Sequence, residues 1–311
     1  DVTAYKTYTE NQLFSPEIST TTGYSKLYVN AGKVTNKGIE LALGFKQNIG
    51  PVDWKTTLLW SLNRNRIDQL LPEYTNEELG VTVHLDEMDV YSLGGAKQRL
   101  TVGGSMGDVY VNTMRTDEHG HIWMNSMTGT LETDKNNYVY AGNTNPKYTL
   151  SWRNEFNWKG ISLGFMLNAR VGGIGVSATQ AVMDYYGVSK TSAEARDNGG
   201  VKVNGQMIDA QTWYQTIGAN GTGYVGSMYV YSMTNVRLGE LTLGYDIPIN
   251  KWCKWISGLN VSFVGRNLWM LYCKAPFDPE STASTGTYNQ GMDYFMQPSL
   301  RSMGFSAKIS F

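Results

Sequence analysis

The feature that most restricts this chain is strict alternation of apolar and polar side chains, repeated in at least seven separate segments. Successive residues of a β-strand point to opposite faces, so each segment reads as a strand with one greasy and one wet face. In the first, Ile39, Leu41, Leu43 and Phe45 alternate with Glu40, Ala42, Gly44 and Lys46, and Trp54, Thr56, Leu58, Trp60 and Leu62 continue the pattern in a second. A third carries Tyr148, Leu150, Trp152, Phe156 and Trp158 on one face, and a fourth carries Ile161, Leu163, Phe165, Leu167, Ala169 and Val171. Leu241, Leu243, Tyr245 and Ile247 form a fifth, while Leu259, Val261 and Phe263 open a sixth. Val236 and Leu238 are out of phase with Leu241, which places a β-bulge near Gly239. The C-terminal run is the cleanest, with Met303, Phe305, Ala307, Ile309 and Phe311 set against Gly304, Ser306, Lys308 and Ser310.

Half-buried strands of soluble proteins alternate too, so the connections decide. Short links, at Gly50 to Asp53, Lys159 to Gly160 and Pro248 to Gly258, alternate with long ones from about Ile67 to Lys147, Gly172 to about Ser227 and Cys273 to Pro298. Short turns at one end and long loops at the other, between strands of about 10 residues, describe an outer-membrane barrel with the short turns in the periplasm. The fold class expected is therefore all-β: an antiparallel transmembrane β-barrel, here its C-terminal strands only, with long extracellular loops. Aromatics agree with this reading. Trp54, Trp158, Trp252 and Trp255 fall at the short-turn end, and Trp269 with Tyr272 at the opposite end, as interfacial girdles do.

Charge excludes a further class. Lys and Arg total 26 against 27 Asp and Glu, with no basic run, so nucleic acid is not an expected partner. No apolar stretch is long enough for a membrane-spanning helix. Cys253 and Cys273 flank one alternating segment; on opposite sides of a membrane they cannot form a disulfide and read as two free thiols.

Several stretches resemble signatures of the SusC/RagA family of TonB-dependent transporters. They are Asn30-Ala-Gly-Lys-Val-Thr-Asn-Lys-Gly-Ile-Glu40, the glycine-rich Val102-Gly-Gly-Ser-Met-Gly-Asp-Val-Tyr110, and Gly142-Asn-Thr-Asn-Pro-Lys-Tyr148. Val236-Arg-Leu-Gly-Glu-Leu-Thr-Leu-Gly-Tyr245, Gly265-Arg-Asn-Leu268, Asp278-Pro-Glu280 and the terminal Phe311 follow in the family's order. Phase puts Arg266 with Ser262 and Asn260 on the polar, lumen-facing side.

The resemblance implies that residues 1–311 are the C-terminal part of one barrel domain, comprising seven clear strands, or eight with residues 1 to 13. The plug domain and early strands are absent from these residues. It implies import of a polar nutrient, an oligosaccharide or peptide, across the cell outer membrane. Its implied partners are a SusD-like surface lipoprotein, the TonB complex through the missing N-terminal part, the barrel-assembly machinery and outer-membrane lipid. Phe305, Ile309 and Phe311 look like the C-terminal signal that assembly machinery reads; Phe311 equally closes a lipid-facing strand. The rival reading is a soluble or surface β-rich module that binds polysaccharide without transport.

Catalytic residues are not indicated, nor is a cofactor or a metal. Asp117-Glu118-His119-Gly120-His121 is rich in metal-ligating types but reads as a turn centred on glycine. Asp278 and Glu280 flank a proline and read as a turn with a local fold role rather than as an acid/base pair. Aromatics in the long loops, Tyr185, Tyr186, Trp213, Tyr214, Tyr288 and Tyr294, with Tyr224 and Phe295, are the candidate ligand contacts. Stacking and hydrogen bonding to a large polar ligand is one use for them, and packing the loops onto one another is the other.

Overall fold

A computed structural model describes residues 1–14, 28–76, 80–125, 130–221, 223–249, 255–281 and 289–311. Eight strands form one antiparallel sheet in simple chain order: β1 (Val2–Phe14), β2 (Val29–Ile49), β3 (Val52–Gln69), β4 (Tyr148–Trp158), β5 (Ile161–Val171), β6 (Asn235–Ile247), β7 (Gly258–Cys273) and β8 (Ser302–Ser310). Each pairs only with its neighbours, and β1 and β8 are its free edges. This is an arc of barrel wall.

Register carries the apolar rows across the arc. Leu43 pairs with Leu58 and Leu58 with Trp152, then Trp152 with Leu167. At the far side Leu243 pairs with Phe263 and Phe263 with Phe305. Because directly opposed residues share a face, every run found by alternation lies on one surface of the sheet. Leu43 and Phe45 are each 51% exposed and Phe305 84%. In water such a face is unfavourable at roughly 25 cal/mol per Å²; against acyl chains it is matched.

Asn154 is a polar residue set in that face, opposite Thr56 and Phe165. Its Oδ1 accepts a hydrogen bond from Trp54 Nε1 at 3.1 Å, and the side chain is 2% exposed. Trp54 stacks on Phe156 at 6.2 Å and Phe156 on Phe165 at 6.4 Å. The rings keep the amide out of lipid.

The bulge expected at Gly239 is present: Met166 pairs with Glu240 and Leu167 with Leu238, leaving Gly239 unopposed. Arg266 lies on the wet face, its Nε 3.8 Å from Glu240 Oε2. That carboxylate also faces Arg153 at 3.8 Å, and Arg153 meets Glu155 at 2.7 Å. A charge ladder thus runs across the inner wall from Glu155 to Arg266.

Two sequence expectations require correction. β2 and β3 reach 21 and 18 residues, well beyond the 10 a membrane needs, and their outer ends support the loops. The first two long links also have structure of their own. Residues 71–143 form a hairpin and a four-stranded meander of Glu87–Leu93, Ala96–Thr101, Asp108–Met114 and Thr133–Asn143. Residues 174–232 contain α1 (Ala178–Tyr185), α2 (Lys190–Asp197) and α3 (Ala210–Gly218), each capped by a side chain: Ser177, Ser189 and Asp209. The third link adds Met292–Asp293, which pairs parallel to Ile174–Ser177.

The water-excluding core therefore sits in the loops. Val109, Val111, Val176, Trp213, Ile217, Tyr224 and Tyr229 cluster there. A second cluster, Val34, Ile67, Leu70, Leu71 and Leu100, fastens the meander to the wet side of β2 and β3. Wall strands have lipid on one side, so they need no such core.

Candidate binding and docking surface

Three motifs meet where β3 projects past β4. Asn65 Oδ1 accepts from Met106 N at 2.9 Å, and the backbones of Ile67 and Gly104 bond at 2.8 Å, so the glycine-rich loop is sewn to β3. Asp108 then receives Ser105 N at 2.8 Å, Asn143 Nδ2 at 2.7 Å and the Tyr140 hydroxyl at 3.3 Å. Thr144 N donates to Gly107 O at 2.9 Å. A Cβ on Gly107 would come within 2.7 Å of Asn145 Nδ2, so a larger residue there would have to turn that amide aside. The first motif joins through Asn36, whose Oδ1 accepts from Asn65 at 3.0 Å. Its Gly38 leaves room for the Tyr5 ring, 2.2 Å from where a Cβ would lie.

These segments border an open cleft of about 700 Å³ lined by Asn63, Asn65, Ser105, Tyr140, Asn143 and Lys147 among others. Its polar amides and hydroxyl can hydrogen-bond a polar ligand, and Tyr140 offers an aromatic face. Asp108 is engaged from three sides and acts as a brace. The sequence motifs include Asn143 and Lys147 but not Asn65 and Tyr140; the repeated Asn at 63 and 65 was the available signal.

The third link is pinned by a buried ion cluster. Arg237, in β6, donates from Nη2 to Asp278 Oδ1 at 3.0 Å and lies 3.3 Å from Glu280 Oε2 through Nη1. Asp278 also accepts Glu280 N at 3.0 Å and Ser299 N at 2.9 Å. Burial pushes its carboxyl pKa up, but the Ser299 and Glu280 hydrogen bonds and the Arg237 charge prevail and hold it below the ordinary value. The Asp278-Pro-Glu280 turn is thus structural, as its spacing indicated. So is the Asp117–His121 turn, where Asp117 Oδ1 accepts the amides of His119 and His121.

The structure divides the candidate aromatics. Trp213 is only 8% exposed and Tyr224 is fully buried, its hydroxyl bonded to Leu93 O at 2.7 Å. Both hold the loop core together, the packing use of the two that the sequence left open. Tyr214 is half-buried against the same core. Tyr231, also packed there, has its phenol pushed up to about 12 by burial. Tyr185 and Tyr186 stack edge-to-face at 5.1 Å at the end of α1, and Tyr186 is 63% exposed. Tyr294 and Phe295 make a second such pair at 5.1 Å, both exposed, with Phe295 N bonded to Thr179 Oγ1 near the start of α1. Two aromatic pairs therefore mark opposite ends of one helix, about 10 Å apart at 1.5 Å per residue. Tyr288, Cys253 and Trp252 lie outside the described residues. Phe305 and Ile309 stand on the outer face of β8, with Phe311 just past its end and 91% exposed.

No protein-family model matches the sequence. TonB-dependent receptor P3 of Formosa agariphila is 23% identical over 337 residues, an overlap covering 99% of this chain and 32% of the receptor. TonB-dependent receptor P26 of the same organism is 22% identical over 333 residues with the same coverage. Among solved structures, the RagAB peptide transporter matches with a TM-score of 0.67 at 16% identity, covering 98% of this chain and 32% of its own. The RagAB peptide importer in its open-open state matches at 0.61 and 17% identity, over 100% of this chain and 32% of its own. The chain spans about a third of the length of the proteins it matches. With that likeness running from one end of the sequence to the other, the chain has the outer-membrane β-barrel fold and is similar to about a third of the length of TonB-dependent receptors, in agreement with its SusC/RagA-like signatures.

Proposed function

We propose that the whole receptor imports a polar nutrient, an oligosaccharide or a peptide, through this barrel, powered by TonB and working with a SusD-like surface lipoprotein. The observation that carries the proposal is the loop layer. Links that only had to reconnect strands would be short, yet the first two are folded and fastened to β2 and β3, and the described residues of the third are tied to β6 and to the second. Such preorganised surface suits ligand capture and docking of a rigid partner. Two solved structures that share this fold are those of the RagAB peptide transporter and importer, which favours a peptide or similarly polar cargo.

Tyr186, Tyr294 and Phe295 supply exposed stacking faces on that surface, and the cleft beside Tyr140 supplies hydrogen-bonding groups. The C-terminal Phe305, Ile309 and Phe311 are the segment we assign to recognition by the barrel-assembly machinery.

The test is deletion of the full-length gene, with whole-cell uptake of fluorescently labelled oligosaccharides and peptides and co-purification of a surface lipoprotein from detergent extracts. Loss of uptake of one cargo class and recovery of the lipoprotein are expected. Unchanged uptake and growth, with no lipoprotein recovered, would overturn the proposal.

A further inference from the structure

The outward face of β1, β2 and β3 ends in a row of cations. Lys6 pairs with Lys37, and Lys37 pairs with Arg64, so three positive side chains stand side by side on three adjacent strands. Like charges directly opposed across strands are destabilising, and such a row persists only if something compensates it. All three are exposed, and among the described residues none has an ion-pair partner. The acids on nearby rows of the same face are engaged: Glu10 with Lys33 at 2.8 Å, and Asp68 with Arg66 at 3.7 Å and with the Thr35 hydroxyl.

The position of the row is specific. The next row inward is Ala4, Ile39 and Leu62, the last of the apolar band. From Ile39 to Ile49, at the short β2–β3 turn, the strand rises roughly 33 Å. Tilted by about 40°, it covers about 25 Å, the height of a barrel's apolar belt. The cations therefore begin where hydrocarbon ends, on the side of the long loops. Tyr8 lies just beyond, with Lys6 Nζ 4.6 Å from its ring centroid, as an interfacial aromatic would. The meander packs on the opposite, wet side of these strands through Val34 and Ile67, while Lys6, Lys37 and Arg64 themselves are exposed.

We infer that Lys6, Lys37 and Arg64 form a binding site for the phosphate-bearing headgroups of outer-leaflet lipid. A headgroup phosphate at this depth accepts hydrogen bonds from ammonium and guanidinium groups, while its acyl chains lie along Ile39 and Leu62. The site rests on the outer-membrane reading and on the short turns being periplasmic.

The test uses the full-length receptor reconstituted in phosphatidylcholine nanodiscs doped with phosphatidic acid, whose phosphomonoester is the probe. Native mass spectrometry after gentle detergent release counts the phosphatidic acid retained. The variants are Lys6→Gln, Lys37→Gln and Arg64→Gln, singly and together, with Lys33→Gln as a control cation already held by Glu10. Each cation near an anionic surface is worth about fivefold in affinity, so the triple variant loses on the order of a hundredfold and the control far less. Retention should fall with added salt but persist against inorganic phosphate. Equal retention by the triple variant and the unaltered receptor overturns the site, and so does displacement by inorganic phosphate, which would mark a soluble-anion site instead. Fractionation with the outer membrane and heat-shifted migration on gels separate this failure from a failure of the barrel reading, which would abolish both.

Discussion

Arg237 Nη2 and Asp278 Oδ1 are 3.0 Å apart, with side chains only 6% and 9% exposed. This contact ties a wall strand to a loop 41 residues later in the chain, and the same loop carries Met292 and Asp293 into a sheet with Ile174–Ser177. A buried pair broken on one side leaves a charge without compensation. Asp278→Asn and Arg237→Met are therefore not equivalent. The asparagine variant strands the guanidinium with Glu280 alone and should loosen residues 274–301 by about 3 kcal/mol. The methionine variant strands both carboxylates, of which Asp278 retains the Ser299 and Glu280 amides. Hydrogen exchange across 274–301 in the full-length receptor measures both, with faster exchange expected in each and the larger change in Asp278→Asn.

The same contact makes the loop sensitive to acid. Asp278 has a folded pKa below its unfolded one, so its contribution to stability is fully present above the unfolded value and lost as pH falls through the folded value. Loop opening, read as exchange relative to the intrinsic amide rate at each pH, should be flat from neutrality down to ordinary carboxylate titration and rise only below it. In Asp278→Asn that acid-dependent step should shrink markedly. A rise already complete by mild acidity would mean that another group controls the loop.

Trp213 and Tyr294 are both candidate loop contacts in the sequence, and the structure gives them opposite predictions. Trp213→Ala removes a side chain from the loop core, and a loss of about 3 to 5 kcal/mol in local stability is expected. Tyr294→Ala removes a ring that is 52% exposed and should leave stability within about 0.5 kcal/mol. If the outer aromatics contact cargo, Tyr294→Ala and Tyr186→Ala lower cargo affinity at unchanged stability. Loop protection by limited proteolysis, measured beside cargo binding to the intact receptor, separates the two effects.

What was legible followed from period. A two-residue repeat places Leu43, Leu58 and Trp152 on one face without knowing their partners, and a phase slip alone located the bulge at Gly239. The loops hide their structure because their stability comes from contacts between distant residues. Tyr224 bonds to Leu93 and Gly226 N to Asn112 Oδ1, across 131 and 114 residues. Helices of eight or nine residues present too few turns for their periodicity to stand out. Their caps were readable: Ser177, Ser189 and Asp209 each bond an amide three residues on. In α3 the spacing of Ala210, Trp213 and Ile217 also marks one buried face, which would have moved Trp213 from the surface to the core.

At Gly107 an added methyl would meet the side-chain ends Thr144 Oγ1 and Asn145 Nδ2, each at 2.7 Å. Gly107→Ala should turn those ends away and loosen the glycine-rich loop from residues 142–147, at a cost of about 1 kcal/mol. Asn65→Ala should act on the same loop from the β3 side by removing the acceptor of Met106 N. Since both changes loosen one assembly, their combination should cost less than the sum of the singles. A double-mutant cycle on thermal unfolding of the receptor's outer loops reads this directly, and strict additivity would mean that the two contacts brace separate units.

The two faces of one wall strand supply the sharpest contrast. Leu243 lies in the apolar rows, 52% exposed between Leu163 and Phe263, whereas Thr242 points to the wet side between Gly164 and Val264. An arginine facing lipid near the midplane costs about 2 to 4 kcal/mol, and one facing the lumen stays hydrated. Leu243→Arg should therefore reduce the amount of folded receptor in the outer membrane severalfold, and Thr242→Arg should leave it nearly unchanged. Neighbouring positions with the same substitution remove sequence context and strand propensity as explanations. Equal losses in the heat-shifted, membrane-extracted fraction would count against lipid on the Leu243 side, and a larger loss for Thr242→Arg would invert the wall.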